Sequence, residues 1–263
     1  MKRFSHERVQ PGFTAGDETK LLGDDTPFAI REAYNSTRTK LLFYGQGEKC
    51  PVFAVTSSLP GDGKTMSSVN LAISFAQMGK KTLLIDGDMR KATMHSYLKI
   101  GYQDGLSELM AGLTKEINIR EAGKENLFFL PSGDIPPNPA ELLASSKMTE
   151  VIKALREKFD YIIIDTPPVE VVTDAALLAP YVTGYVFIVK CGSSDINIVK
   201  HSIETIQELK GNIVGFILND SNNVRDNYYR SSGYYKKYYK YGGYKYGRGA
   251  SYAYGYVGKK DLE

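Results

Sequence analysis

The amino-acid sequence predicts an α/β fold: a parallel twisted sheet with helices on both faces, followed by a flexible tyrosine-rich tail. Three observations carry that prediction. From about Ala54 onward, short β-branched runs alternate with segments whose apolar residues recur at helical spacing. A glycine-rich loop joins the first of these runs to the helical segment that follows it. Beyond residue 220 the composition shifts abruptly toward Tyr, Gly, Lys and Arg, too biased to belong to the same folded unit.

In chain order, residues 1–27 are polar and Gly-rich without a pattern and are expected to form a loose lead-in. A domain over 28–220 follows, opening with a helix through IREAYNSTRTKLL. Six runs read as buried strands: VFAVTS to Ser57, TLLID to Asp86, NLFFLPS to Ser132, YIIID to Asp165, GYVFIVK to Lys190 and IVGFILN to Asn219. Between them Met148, Val151, Ile152, Leu155 and Phe159 form one core-facing helical stripe, and Ile196, Val199, Ile203 and Ile206 form another. Strand and helix in alternation imply parallel strands joined by right-handed crossovers. Sites in such sheets lie at the carboxyl ends of the strands.

The totals bound the function. With 263 residues and 42% hydrophobic content, the chain can bury one catalytic core and is too short for two large enzyme domains. No apolar run reaches the roughly 18 residues of a membrane span, and MKRFSHERVQ lacks a signal peptide's apolar stretch, so a cytoplasmic location is expected. Cys50 and Cys191 lie far apart without a CxxC, and only 3 His are present, which argues against a zinc site or a disulfide framework. The net charge of +3 divides unevenly: residues 221–263 carry 9 Lys/Arg against 3 Asp/Glu. That segment also holds 12 of the 19 tyrosines: Tyr228, Tyr229, Tyr234, Tyr235, Tyr238, Tyr239, Tyr241, Tyr244, Tyr246, Tyr252, Tyr254 and Tyr256.

After the first strand comes Ser58-Leu59-Pro60-Gly61-Asp62-Gly63-Lys64-Thr65, then the helical stretch MSSVNLAISFAQMG. This is a Walker A loop with Ser58 at the usual first glycine, so the fold is of the P-loop NTPase kind. Its glycines let backbone N–H groups turn inward around phosphate oxygens, and the helix aims its positive end at the same point. Lys64 is expected to neutralise the β and γ oxygens, and the Thr65 hydroxyl to ligate magnesium. Asp86 and Asp88 follow the second run, and Asp165, ahead of Thr166-Pro167-Pro168, takes the Walker B position. One such Asp reads equally as a turn residue, but three beside a Walker A loop read as a site.

The three motifs in this order resemble those of the bacterial tyrosine kinases of capsule and exopolysaccharide synthesis, P-loop ATPases related to the MinD/ParA class. The likeness covers roughly residues 28–263 and includes Pro131-Ser132-Gly133, Pro136-Pro137-Asn138-Pro139-Ala140-Glu141-Leu142-Leu143 and the terminal tyrosines. It implies ATP and Mg2+ as cofactors, with Ser58, Pro60, Gly61, Asp62, Gly63, Lys64, Thr65 and Met66 around the nucleotide and Asn219 at its base or in a turn. It implies Asp86 as the base for the incoming tyrosine and Asp88 with Asp165 and Thr65 at the metal, although sequence does not separate Asp86 from Asp88. It further implies autophosphorylation of the tail in trans within a homo-oligomer. A transmembrane activator of the polysaccharide co-polymerase type would hold the enzyme at the inner face of the membrane, and a cognate tyrosine phosphatase would reverse the reaction. The family's Glu-x-x-Arg-x-x-Arg ring motif is met by Glu32 and Arg38 but has Asn35 in place of its first Arg. The bland reading of that helix is a solvated charged face.

Three other functions compete. A MinD/ParA-like switch for partitioning or positioning would phosphorylate nothing, but that group carries a signature lysine early in the loop, where Leu59 stands here. An iron–sulfur carrier of the nitrogenase iron-protein kind is weaker still, because the spacing of Cys50 and Cys191 offers no cluster site. The basic tail could stack on single-stranded nucleic acid, but with no Phe and no Trp its tyrosines read better as phosphoacceptors, so no nucleic acid partner is expected. Arg90 reads equally as a phosphate contact or as the partner of an acid.

Overall fold

The computed structural model describes residues 21–219. The tail and its twelve tyrosines lie outside the described residues, as does most of the expected lead-in. The elements run α1 (Phe28–Tyr44), β1 (Val52–Ser57), α2 (Lys64–Ala76), β2 (Thr82–Asp86), α3 (Met94–Leu98), α4 (Leu106–Met110), β3 (Arg120–Glu121) and β4 (Leu127–Leu130). They continue through α5 (Pro139–Leu143), α6 (Ser146–Arg156), β5 (Tyr161–Asp165), a 3-10 turn (Ala176–Tyr181), β6 (Gly184–Lys190), α7 (Ile196–Glu208) and β7 (Ile213–Asn219).

The strands form one sheet in the order β3-β4-β2-β5-β1-β6-β7. The six expected strands pair in parallel. The seventh, β3, adds antiparallel to β4 through Arg120 and Glu121, too short to leave a periodic signal in the sequence. From β1 the chain moves two places outward to β2, returns to slot β5 between them, then crosses β1 to begin β6. The carboxyl ends of β2, β5 and β1 therefore stand side by side at the point where strand order reverses, which is where such sheets bind ligands.

Near-continuous apolar runs fit strands buried on both faces. On one face Val55, Leu84, Ile163 and Val186 pack with α1 and α2. On the other Leu83, Ile85, Ile162 and Ile164 pack with α4, α5 and α6, and Ala54, Tyr185 and Phe187 pack with α7. The stripe Met148, Val151, Ile152 and Leu155 is buried on α6. Eleven residues are too few for a stable isolated helix. Those four side chains, at roughly 1.5–3 kcal/mol each, supply what propensity does not. Phe159 falls beyond the helix end and packs edge-on against Phe128, ring centroids 5.4 Å apart. Ile196 opens α7 but is 63% exposed, so the second stripe reaches the core only from Val199 onward.

Every α2 residue except Lys64 and Met66 is buried, because the sheet covers one side and α1 the other. Small residues such as Ser67, Ser68, Ala72 and Ser74 allow that close approach. Arg38 donates to the Ser74 carbonyl near the end of α2, while Asn35 donates to Glu32 along α1 at 2.9 Å. The end of the expected lead-in is also held: Leu22 is buried, and its N–H donates to Asn70 Oδ1 at 2.8 Å.

Candidate active site

The loop from Ser58 to Thr65 leaves β1 and enters α2 with Gly63 as N-cap at φ +93°, a left-handed conformation that glycine adopts without strain. A Cβ at Gly63 would also lie 2.0 Å from Asn219 Nδ2. Asn219, at the end of β7, donates from that nitrogen to the Asp62 carbonyl at 2.8 Å. It thus braces the loop from the far side of the sheet. Pro60 and Gly61 form an exposed crest, whereas Ser58 and Asp62 are buried; Met66 lies half-buried in the first turn of α2. Within the loop the Leu59 N–H donates to Asp62 Oδ2 at 3.1 Å, and Ser194 Oγ approaches Asp62 Oδ1 at 3.4 Å.

Lys64 projects from the first residue of α2 into a group of carboxylates. Its Nζ lies 3.5 Å from Asp88 Oδ2 and 3.5 Å from Thr65 Oγ1. Burial alone would lower the ammonium, but the charges of Asp165, Asp88 and Asp86 together hold it above the ordinary lysine value. Thr65 Oγ1 donates to Asp165 Oδ2 at 2.7 Å and Ser68 Oγ donates to Asp165 Oδ1 at 3.0 Å. Burial pushes the Asp165 carboxyl up, with Lys64 and these hydroxyls opposing.

Asp86 and Asp165 end neighbouring parallel strands and are register partners. The Gly87 N–H donates to the Asp165 carbonyl at 2.8 Å, and a Cβ at Gly87 would come within 2.7 Å of that oxygen. Only glycine lets the chain stay this close before delivering Asp88 to Lys64. Asp88 also accepts from the Lys91 N–H at 2.9 Å, which closes the turn beneath it. Asp86 is 1% exposed and lies deeper than Asp88, at 5%.

The expected residues Lys64, Thr65, Asp86, Asp88 and Asp165 are therefore brought together, with Asn219 at the opposite wall of the loop. Arg90 is resolved in favour of the acid: it makes a bidentate pair with buried Asp174 at 2.8 and 3.0 Å. That hydrogen bonding, despite partial burial, raises the guanidinium further. The sequence reading missed Ser68, Asp174, Ser194 and Ser202. Ser68 sits one turn after Lys64 on the same helical face, a spacing that could have pointed to it. Asp174 and Ser202 carry no such signal, because they reach the site only through tertiary packing.

One lysine faces three aspartates, an excess of negative charge that suits a divalent cation. Among the described residues no group of three or more His, Cys, Asp or Glu side chains is arranged to hold a metal ion. A hydroxyl and one or two carboxylates beside phosphate oxygens and water is instead the usual setting of Mg2+, and Thr65, Asp165 and Asp88 offer that donor set. The residues present fit the group.

Comparison with known proteins agrees with this geometry. Residues 51–218 match the AAA domain family. The chain is 38% identical over 193 residues to the tyrosine-protein kinase CpsD of Streptococcus agalactiae, covering 73% of this chain and 83% of that protein. It superposes on the kinase domain of the Escherichia coli tyrosine kinase ETK with a TM-score of 0.71 and 30% identity, covering 81% of this chain and 84% of the other. The septum site-determining protein MinD of Pyrococcus horikoshii, solved with Mg-ADP, is less similar: TM-score 0.57 and 25% identity, covering 66% and 72% of the two chains.

Proposed function

The chain belongs to the family of bacterial tyrosine-protein kinases, and from that premise we propose how this site transfers phosphate, and to what. Transfer of a phosphoryl group asks a protein mainly for position and for charge at the phosphates. Lys64 grips the β and γ oxygens of ATP from the start of α2, while the loop N–H groups and the helix end cradle the rest. Thr65, with Asp165 and Asp88, holds magnesium, which when bound supplies positive charge to the phosphate oxygens.

Asp86 or Asp88 accepts the proton of the incoming tyrosine hydroxyl as its oxygen bonds to the γ-phosphorus. The bond to the β-γ bridging oxygen breaks, and ADP leaves. A tyrosine hydroxyl ionises near pH 10, so a carboxylate in place during transfer helps where prior ionisation would be rare. The observation that carries this reading is the convergence of Lys64, Thr65, Asp88 and Asp165 within hydrogen-bond or ion-pair reach at neighbouring strand ends.

The acceptor is the tyrosine cluster of residues 221–263, reached in trans within a homo-oligomer. By resemblance, the reaction regulates capsular or exopolysaccharide synthesis, a transmembrane activator recruits the enzyme to the inner face of the membrane, and a phosphatase resets it. No helix among the described residues is long and apolar enough to cross a membrane. The test is incubation of purified protein with ATP and Mg2+, followed by detection of phosphotyrosine. ATP hydrolysis without any phosphotyrosine would favour the positioning switch instead.

A further inference from the structure

A chain of side chains that the phosphoryl-transfer reading does not use runs from the surface of α7 to the first residue of the phosphate loop. His201, 69% exposed at its side chain, places Nδ1 at 3.0 and 3.1 Å from the two oxygens of Glu170, on the loop after β5. Glu170 Oε1 lies 2.6 Å from Ser202 Oγ, and Ser202 Oγ lies 3.0 Å from Ser58 Oγ. Ser202 and Ser58 are both buried, at 0% and 1% exposure. The same loop also grips the β1 end by its backbone: the Val169 N–H donates to the Ser57 carbonyl at 2.9 Å and the Glu170 N–H to the Ser58 carbonyl at 3.3 Å.

The direction of these bonds follows from the number of protons. Ser202 has one hydroxyl proton and neighbours Glu170, Ser58 and the Ile198 carbonyl, of which the carboxylate is the strongest and nearest acceptor. Ser202 therefore donates to Glu170, and Ser58 donates to Ser202. Burial would raise the Glu170 carboxyl, but its bonds to Ser202 and His201 together hold it below the ordinary glutamate value, so it is ionised and able to anchor the chain.

We propose that Glu170 and Ser202 are positioning residues that hold the mouth of the phosphate loop through the Ser58 hydroxyl, and that His201 sets the grip from the surface. Ser58 stands where a Walker A loop usually has glycine, which has no side chain to be held. The hydroxyl converts a position of backbone freedom into a fixed post tied to α7 and to the segment after Asp165. Its effect is on nucleotide affinity rather than on transfer itself, because none of the three residues reaches the Lys64 and Asp88 side of the site. The groups facing His201 are Glu170 from the β5 loop and Glu204 and Glu208 on its own helix, all acidic. The hydrogen bond to Glu170 comes first among the influences that raise its imidazole above the usual value.

This inference rests on the loop binding ATP or ADP, and the experiment separates the two claims. Binding of a fluorescent ADP with Mg2+ is measured for the full chain, for Ser58→Gly, for Ser202→Ala and for the double variant, with kcat and KM for ATP alongside. Wild-type protein that binds no ADP would overturn the nucleotide-site reading itself. If wild type binds, each single change weakens affinity about fivefold, the worth of roughly one hydrogen bond, and for Ser202→Ala KM rises while kcat stays within about twofold. Adding Ser202→Ala to Ser58→Gly then costs nothing further, because the hydroxyl it held is already gone. Additive losses, or a fall confined to kcat, would overturn the proposal. Should Ser202→Ala fail to fold, Glu170→Gln, whose side chain is 21% exposed, replaces it with the same expectation. Between pH 6 and 8, wild type should lose affinity relative to His201→Gln as pH rises. Parallel profiles for the two proteins would remove His201 from the chain.

Discussion

Thr65 Oγ1 donates a 2.7 Å hydrogen bond to Asp165 Oδ2, joining the start of α2 to the end of β5 across 100 residues of sequence. Both oxygens belong to the donor set that would hold magnesium, and the bond keeps them side by side. The arrangement has a cost, because Asp165 is buried and its carboxyl is raised by that burial. A group whose folded value is raised contributes its stability below the unfolded carboxylate range and loses it as pH rises through the folded value. At neutral pH the charge is therefore a burden on the fold. Asp165→Asn is expected to lower phosphotyrosine formation by about 100-fold or more while leaving the thermal midpoint at pH 7.5 equal to or above wild type. The stability difference should shrink toward pH 4. A midpoint several degrees lower at pH 7.5 would mean that attraction to Lys64 outweighs desolvation.

Lys64→Met should behave in the opposite way. Its ammonium is held above the ordinary lysine value, so its contribution is complete throughout the neutral range and is lost only as pH rises through the folded value. Removing it leaves Asp86, Asp88 and Asp165 facing one another. The variant is expected to fold, to form no phosphotyrosine, and to lose about 2 kcal/mol of stability at pH 8 by chemical denaturation. Part of that loss should return as pH falls, because the buried Asp165 carboxyl is raised and protonates ahead of an ordinary carboxylate. Phosphotyrosine at the wild-type level would take the reaction away from this site.

Arg90 and Asp174 offer a test of structure rather than chemistry. The Asp174 side chain is 1% exposed and its partner's 41%, so Arg90→Ala strands a buried carboxylate. A loss of about 2–3 kcal/mol is expected. Arg90→Ala combined with Asp174→Asn should recover a large part of it, since the charge that needed a partner is gone. Simple addition of the two single effects, measured by urea denaturation, would argue against a dedicated pair.

Much of this site is legible in the sequence because its donors sit at strand ends that announce themselves. The apolar runs before Ser57, Asp86 and Asp165 place three loops at one edge of the sheet, and glycines at 61 and 63 between a strand and Lys64-Thr65 leave few alternatives. What the letters do not carry is which partner each side chain finds. Arg90 reads as a phosphate contact as readily as an acid's partner until α7 and the 3-10 turn pack and bring Asp174 beneath it. The two-residue β3 is likewise set by contact with β4, not by its own pattern. Ile196 shows the reverse case, a residue with the right spacing that falls at the overhanging end of its helix.

Gly63 makes the loop geometry testable on its own. An alanine there would meet both a left-handed φ and the Asn219 amide at 2.0 Å. Gly63→Ala is expected to abolish ADP binding measured by calorimetry. Adding Asn219→Ala should restore little, because it relieves the collision but not the backbone strain. Full recovery in the double variant would mean that the steric contact alone sets the loop.

The last expectation concerns the direction of the reaction. The described chain ends at Asn219, on a strand four places from β2 in the sheet, so roughly 19 Å separate it from the Asp86 end at the usual strand spacing. Tyr228 follows nine residues later, and nine extended residues span at most about 30 Å, so reach alone permits a chain to present its own tyrosine. The trans reading instead follows the family resemblance, in which one chain's tail serves as substrate for its neighbour. Mixing an inactive full-length Lys64→Met chain with an active chain truncated after Asp220 should therefore place phosphate on the inactive partner. The rate should rise with the concentration of the active chain. Each phosphotyrosine adds about −1.5 to −2 of charge at neutral pH, so roughly three or four would cancel the tail's excess of six positive charges. If that basic charge holds the tail against an acidic surface of its neighbour, the assembly should shrink by size-exclusion mass measurement as phosphate accumulates. Absence of phosphate on the Lys64→Met chain would establish transfer within one molecule. An unchanged mass at full phosphorylation would show that tail charge does not hold the oligomer together.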